Sequence, residues 1–206
     1  MKLYTFHAAP NARRLHLFMD YKGIKIDEEV IDMGNLAQHD EPYASLNPLR
    51  TVPSLMLDDG TLITEVVAMV DYLESTHPEK PLFGSSAQQR AQVINYNHWL
   101  ATSAFMPVAN MLRNRSKGFV DRATTGSLPV PQIPDLVARG KIQLDDFWPR
   151  INQRLSESEW VAGDFFSFAD IDLFVCIEFC GWVKEGIPED ASAVKAWHER
   201  ASIELS

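Results

Sequence analysis

Over the first third of the chain, hydrophobic residues come in short runs and alternations; over the rest they recur at helical spacing. Lys2–Phe6 (KLYTF) carries strand-forming side chains. From Pro10 to Lys22, Ala12, Leu15, Phe18 and Met19 share one helical face; Pro10 suits a first turn and Gly23 a C-terminal cap. A second strand is expected over about Ile24–Met33, with its charges in a block, and residues 34–46 read as loop or short helix. Two further strands, Val52–Leu57 and Thr61–Thr64, flank Asp58-Asp59-Gly60, an Asp-Gly hairpin signal. Pro53 has no N–H to give to a ladder and belongs at the start of its strand. A helix then opens directly at Glu65-Val66.

Residues 75–86 (STHPEKPLFGSS) are rich in Ser, Pro and Gly, and everything beyond them is helical in pattern. The expected organisation is therefore residues 1–78, a linker at 79–86 and an all-helical domain over 87–206. Within the latter, Val93, Tyr96, Trp99, Leu100 and Phe105 continue one helical period, which Pro107 bends or restarts. Residues 115–133 read as a long loop, and Leu136 to Leu155 as a helix with a kink expected at Pro149. Ser167-Phe168-Ala169-Asp170 is a capping box with Asp in place of Glu, ahead of a helix to Trp182 that is apolar almost all round. Asp170 and Asp172 invite a catalytic reading, but their place at a helix start favours a cap. A last helix is expected over Ala191–Ala201.

The 206 residues are 46% hydrophobic, which is ample for a core, and carry a net charge of −9. That acidity argues against a nucleic-acid partner, whose binders carry basic patches. No apolar run reaches the length of a membrane span, and MKLYTFHAAPN lacks the apolar segment of a signal peptide, so no membrane partner and a cytoplasmic location are expected. Cys176 and Cys180 stand four apart in an apolar helical pattern and read as core packing. No metal is expected.

The chemistry gathers in the hairpin. Val52, held extended by Pro53 and lying before the ladder, has backbone groups available to a small peptide. Glu65 places a carboxylate beside the unpaired N–H groups of a helix start, a pairing that suits a zwitterion.

Five segments, in order and spanning nearly the whole chain, resemble the glutathione S-transferase superfamily: KLYTF with PNARRL, NPLRTVPSL, TEVVAMVDYL, PLFG and FSFADIDL. The resemblance implies an α+β thioredoxin-like N-terminal domain followed by an all-α domain, glutathione as cosubstrate, a homodimer, and a cis Val52–Pro53 bond. It implies that Val52, before Pro53, pairs with the cysteinyl part of glutathione. Glu65 would meet the γ-glutamyl ammonium, and Val66, where Ser is usual, would give only its N–H to the γ-glutamyl carboxylate. Gln38 matches a position that reaches the glycyl end; an exposed loop amide is the alternative. Ala9 stands where a catalytic Ser or Thr often precedes Pro-Asn, leaving Asn11 to meet the thiol or to serve as a first-turn helix residue. His7, Ala9, Phe105 and Arg113 are the substrate-side positions, with an exposed loop histidine and helix core as the plainer accounts of His7 and Phe105. The activity implied is attack of the glutathione thiolate on a small hydrophobic electrophile, or exchange with a glutathione mixed disulfide. A binding or regulatory protein on the same fold is the alternative, favoured by the two missing hydroxyls. An enzyme using its own cysteines is disfavoured, because no Cys-x-x-Cys is present.

Overall fold

A computed structural model describes residues 1–206. The chain divides into two units, Met1–Lys80 with Thr124–Leu128, and Pro81–Ala123 with Pro129–Ser206.

In the first unit the order is β1 (Lys2–Thr5), α1 (Pro10–Lys22), β2 (Asp27–Val30), two 3₁₀ turns, α2 (Tyr43–Leu46), β3 (Ser54–Met56), β4 (Leu62–Ile63) and α3 (Val66–Thr76). The strands lie in the order β2-β1-β3-β4, with β1 and β2 parallel and the other pairs antiparallel. This is the thioredoxin-like arrangement. Side chains on β1 alternate between the faces of the sheet. Leu3 and Thr5 are fully buried, as are Leu15, Phe18, Met69, Val70 and Leu73 of the packed pair α1 and α3. Tyr4 and Phe6 join a second, smaller cluster built on Ile31, Tyr43 and Val52.

The second strand is shorter than its sequence pattern. Only Asp27–Val30 pairs, all four residues are exposed, and β1 is the one neighbour. A charged edge strand of this kind resists pairing with other chains. Lys22 closes the unit: its Nζ lies 2.6 Å from Glu74 Oε2 and 2.8 Å from the Glu79 carbonyl oxygen, tying α1 to α3 and to the segment beyond it.

The second unit is helical: α4 (Ala87–Leu100), α5 (Met106–Arg115), α6 (Asp135–Glu157), α7 (Phe168–Trp182) and α8 (Ser192–Glu204). Pro107 does mark a new segment. A π-helical turn, Ala101–Phe105, separates α4 from α5, where a proline without an N–H interrupts regular α-helical bonding. The element α6, by contrast, runs uninterrupted through Pro149. Gly140 lets α6 approach α5 closely, since a Cβ there would sit 2.7 Å from the Pro107 carbonyl oxygen. The loop between α5 and α6 is anchored at its ends: Gln132 donates to the carbonyls of Arg113 and Ser116, and Asn114 Oδ1 accepts from the Ile133 N–H.

The capping box at Ser167 and Asp170 forms as its sequence predicts. Asp170 is fully buried and accepts four hydrogen bonds, from the N–H and hydroxyl of Ser167, the N–H of Val161 and the indole of Trp197. Asp172 is equally buried and accepts from Asn97. Both carboxylates hold helices together. Cys176 and Cys180 are free thiols in the core.

Candidate functional site

The hairpin presents its chemistry through a buried polar network. Asn47 Nδ2 donates to the Thr51 carbonyl (3.0 Å) and to Ser54 Oγ (2.9 Å). Tyr43 Oη donates to the same Thr51 carbonyl and lies 2.9 Å from Ser54 Oγ. Asn47 and Ser54 have no exposed surface. In a trans peptide the N–H points away from the C=O. Turning the Thr51 carbonyl inward therefore turns the Val52 N–H the other way. Val52 precedes the ladder, which starts at Ser54, and makes no hydrogen bond to the protein's own backbone. The Val52–Pro53 bond is cis, as the resemblance implies. The residues that set this geometry, Tyr43, Asn47 and Ser54, went unrecognised in the sequence. They stand at the ends of two very short elements, α2 and β3, where polar side chains carry no periodic signal of burial.

Helix α3 begins nearby in the chain without a side-chain cap. Its first intrahelical bond runs from the Met69 N–H to the Glu65 carbonyl (3.0 Å), so the N–H groups of Val66, Val67 and Ala68 lie ahead of it. Glu65 is exposed and Val66 is buried. A carboxylate and a row of unpaired N–H groups thus stand side by side, which can receive an ammonium and a carboxylate from one ligand.

Gln38, on the second 3₁₀ turn (Ala37–His39), is not the exposed amide of the plainer account. It is 5% exposed, and its Oε1 is buried without a hydrogen-bond partner. Such an acceptor costs stability until something donates to it, and a half-turn of the amide exchanges acceptor for donor.

Helix α1 also starts bare. Ala9 is its N-cap residue in extended conformation and has no oxygen to offer. Arg13 N–H makes the first helical bond, to Ala9 O (2.9 Å), leaving the N–H groups of Asn11 and Ala12 ahead of it, while Pro10 has none. The Asn11 Oδ1 accepts from Arg14 Nη1 at 3.0 Å. With its oxygen engaged by a buried arginine, exposed Asn11 keeps its NH₂ as a donor. Ala9 packs in the same small apolar cluster as Val52. The fold thus brings one uncapped helix start and the Val52 edge together.

Of the remaining substrate-side residues, His7 lies in the first unit and two lie in the helical unit. The His7 ring lies 3.0 Å from Glu28 and stacks on His16, so its imidazole is engaged on the β2 side. Phe105 and Arg113 belong to the helical unit. Phe105 closes the π turn and stacks on Phe179, with centroids 6.4 Å apart. The Arg113 guanidinium lies over the Phe119 ring (4.7 Å) and donates to the Arg122 carbonyl (3.2 Å). Burial, and then the charge of Arg122, pushes its pKa below the usual arginine value.

A thioredoxin-like unit with a cis-proline loop, joined to an all-helical unit, defines the class. Residues 3–81 match the family of the glutathione S-transferase N-terminal domain, and residues 135–202 that of the glutathione S-transferase C-terminal domain. The chain belongs to the glutathione S-transferase superfamily. It is 28% identical to glutathione S-transferase 2 of Saccharomyces cerevisiae over 97% of this chain and 84% of that protein. To glutathione S-transferase GstA of Escherichia coli O157:H7 it is 28% identical over 81% of this chain and 77% of that one. Similarity to the maleylacetoacetate isomerase of Pseudomonas aeruginosa, at 31%, is confined to 45% of this chain and 44% of the other. Among solved structures, a glutathione S-transferase domain-containing protein of Marinobacter aquaeolei VT8 superposes with a TM-score of 0.90 at 26% identity, covering all of both chains.

Proposed function

We propose that the protein is a glutathione-dependent enzyme that delivers the thiolate of glutathione to an electrophile, a carbon centre or a mixed disulfide. The observation that carries this is the Val52 backbone, which lies beside the cis proline and makes no hydrogen bond to the protein's own backbone, in a unit that also offers Glu65 and the bare start of α3. In this reading the Val52 backbone pairs with the cysteinyl residue, and Pro53 holds that edge open. Glu65 takes the γ-glutamyl ammonium and the Val66 N–H its carboxylate. Gln38 supplies the glycyl end with the partner that its buried amide lacks. The Asn11 NH₂ and the α1 N–H groups stabilise the thiolate, since positive helix-end charge and donors lower a thiol pKa. The sulfur electron pair then forms the new bond to carbon or sulfur, and the leaving group departs with the old one. Within the first unit, Ala9 is kept for the electrophile's side; the His7 side chain is engaged as described and is not. By analogy with its relatives the protein is also proposed to form a homodimer.

Calorimetric titration with glutathione tests the reading. Binding is expected, and Glu65→Ala should weaken it roughly ten- to hundred-fold, the worth of a hydrogen bond to a charged group. In turnover with a conjugation substrate and with a mixed disulfide, Asn11→Ala should lower kcat while leaving glutathione affinity near the parent value. The absence of binding at millimolar glutathione would overturn the proposal and leave a regulatory or binding protein on this fold.

A further inference from the structure

His7, in the loop after β1, His16, on the second turn of α1, and Glu28, on β2, converge although 21 positions separate the first from the last. His7 Nε2 lies 3.0 Å from Glu28 Oε2, and His16 Nε2 lies 2.9 Å from Glu28 Oε1. All three donor atoms fall within 4.8 Å of one another. His16 Nδ1 is 2.8 Å from the Ala12 carbonyl oxygen. A carbonyl can only accept, so Nδ1 carries a proton, and in the neutral ring Nε2 is then a lone pair. That lone pair faces a carboxylate oxygen, acceptor against acceptor. Something positive belongs between them.

A proton on His16 satisfies that contact, and a neutral His7 meets Glu28 by donating its own Nε2–H, with the two rings stacked 4.3 Å apart. One divalent ion satisfies both contacts with neutral imidazoles. We propose that His7 Nε2, His16 Nε2 and the Glu28 carboxylate form a binding site for a divalent transition-metal ion, with Zn²⁺ the best match to two imidazoles and one carboxylate. Donors bound tetrahedrally to zinc stand about 3.4 Å apart, given Zn–N and Zn–O lengths near 2.0–2.1 Å. Glu28 Oε1 sits within about half an ångström of that spacing from His16 Nε2, and Glu28 Oε2 likewise from His7 Nε2. The bond from His16 Nδ1–H to a backbone carbonyl is the kind of outer contact that fixes the tautomer of a metal-bound histidine. His16 keeps 12% of its side-chain exposure and is set in place; His7 keeps 60% and is free to swing its ring out of the stack onto the ion. The same exposure gives the ion a route in and leaves the fourth coordination position to water. An ion there pins the loop that leads through Ala8 and Ala9 to Asn11, joining it to α1 and β2.

The experiment uses the full chain, free of any histidine tag and stripped with a chelator. Zn²⁺ is titrated in competition with a chromophoric zinc indicator, and Co²⁺ is added separately to follow its visible d–d bands. The expected result is one Zn²⁺ per chain and the bands of a four-coordinate Co²⁺ ion. His7→Ala, His16→Ala and Glu28→Gln should each weaken Zn²⁺ at least ten-fold, the lower end of what even an outer-shell substitution costs. His7 is an exposed loop residue, so its variant folds and gives a clear answer even where His16→Ala proves unstable. No uptake of Zn²⁺ overturns the proposal and assigns the contact to a protonated His16. So does uptake that His7→Ala and Glu28→Gln leave unchanged. Glutathione takes part in neither titration, so failure here leaves the proposed enzyme reading standing.

Discussion

Ala9 leaves two jobs undone at one position. As the N-cap of α1 it is extended, as a capping residue should be, yet offers no side-chain oxygen to the N–H groups behind it. Ala9→Ser adds that oxygen in a backbone geometry that already fits. It should stabilise the protein by about 1 kcal/mol, the usual worth of an N-cap, read as a rise in urea midpoint at constant m-value. Val66 is the corresponding gap at the start of α3. Its N–H is presented, but its side chain is buried and apolar, so the γ-glutamyl carboxylate is left with a backbone donor. Val66→Ser should tighten glutathione roughly ten-fold or more by adding a hydrogen bond to a charged group. It should also lower the melting temperature, because a buried apolar side chain is lost. Calorimetry and a thermal melt on one sample separate the two effects. Unchanged affinity in that variant would count against the place assigned to the carboxylate.

At the scale of the element, the cis-proline loop is held by α2 and the residues after it. Tyr43 and Asn47 converge on the Thr51 carbonyl, and Ser54 joins them from the first position of β3. Asn47→Ala removes three donated bonds and leaves a buried carbonyl and hydroxyl short of partners. It should cost about 2–3 kcal/mol of stability by the usual penalty for such groups. Glutathione affinity should fall with it, because the Val52 N–H loses its fixed direction; the urea midpoint and calorimetric Kd of the same preparation check both. The hairpin, the helix starts and the order of elements were legible because each has a local cause: Asp-Gly for the turn, Pro10 and Gly23 for the ends of α1, apolar spacing for the helices. The truncation of β2 to Asp27–Val30 was not legible, since an edge strand's length depends on how far its neighbour runs. Nor was the meeting of His7, His16 and Glu28, which a loop, a helix and a strand bring about and no spacing encodes. Gln38 was half legible: its position suggested a role, and only its burial distinguished that role from an exposed amide.

For the molecule as a whole, the five tryptophans give a means of watching one unit alone. Trp99, Trp148, Trp160, Trp182 and Trp197 all lie in the helical unit, and the first unit has none. Tryptophan fluorescence therefore reports the unit whose elements meet at Asp170. Burial raises that carboxyl from its ordinary 3.8 to about 6, against the opposing pull of the bonds from Val161, Trp197 and Ser167. A carboxyl with a folded pKa above its unfolded value binds its proton more readily when folded. Its contribution to stability is thus complete below 3.8 and is lost as pH rises through about 6. The span corresponds to up to about 3 kcal/mol at roughly 1.4 kcal/mol per pH unit. Other carboxylates titrate over the same range, so the wild-type profile alone does not isolate the effect. Asp170→Asn keeps the shape but cannot ionise, and it lacks an acceptor for the Ser167 donors, so it should be less stable at every pH. The informative quantity is the gap between the two proteins in tryptophan-monitored urea unfolding. That gap should widen as pH falls from above 6 toward 4, because only the wild type gains from protonation at this position. A gap that stays flat or narrows over that interval would show that the hydrogen bonds donated to Asp170 outweigh its burial, and that the carboxylate is held ionised in the core.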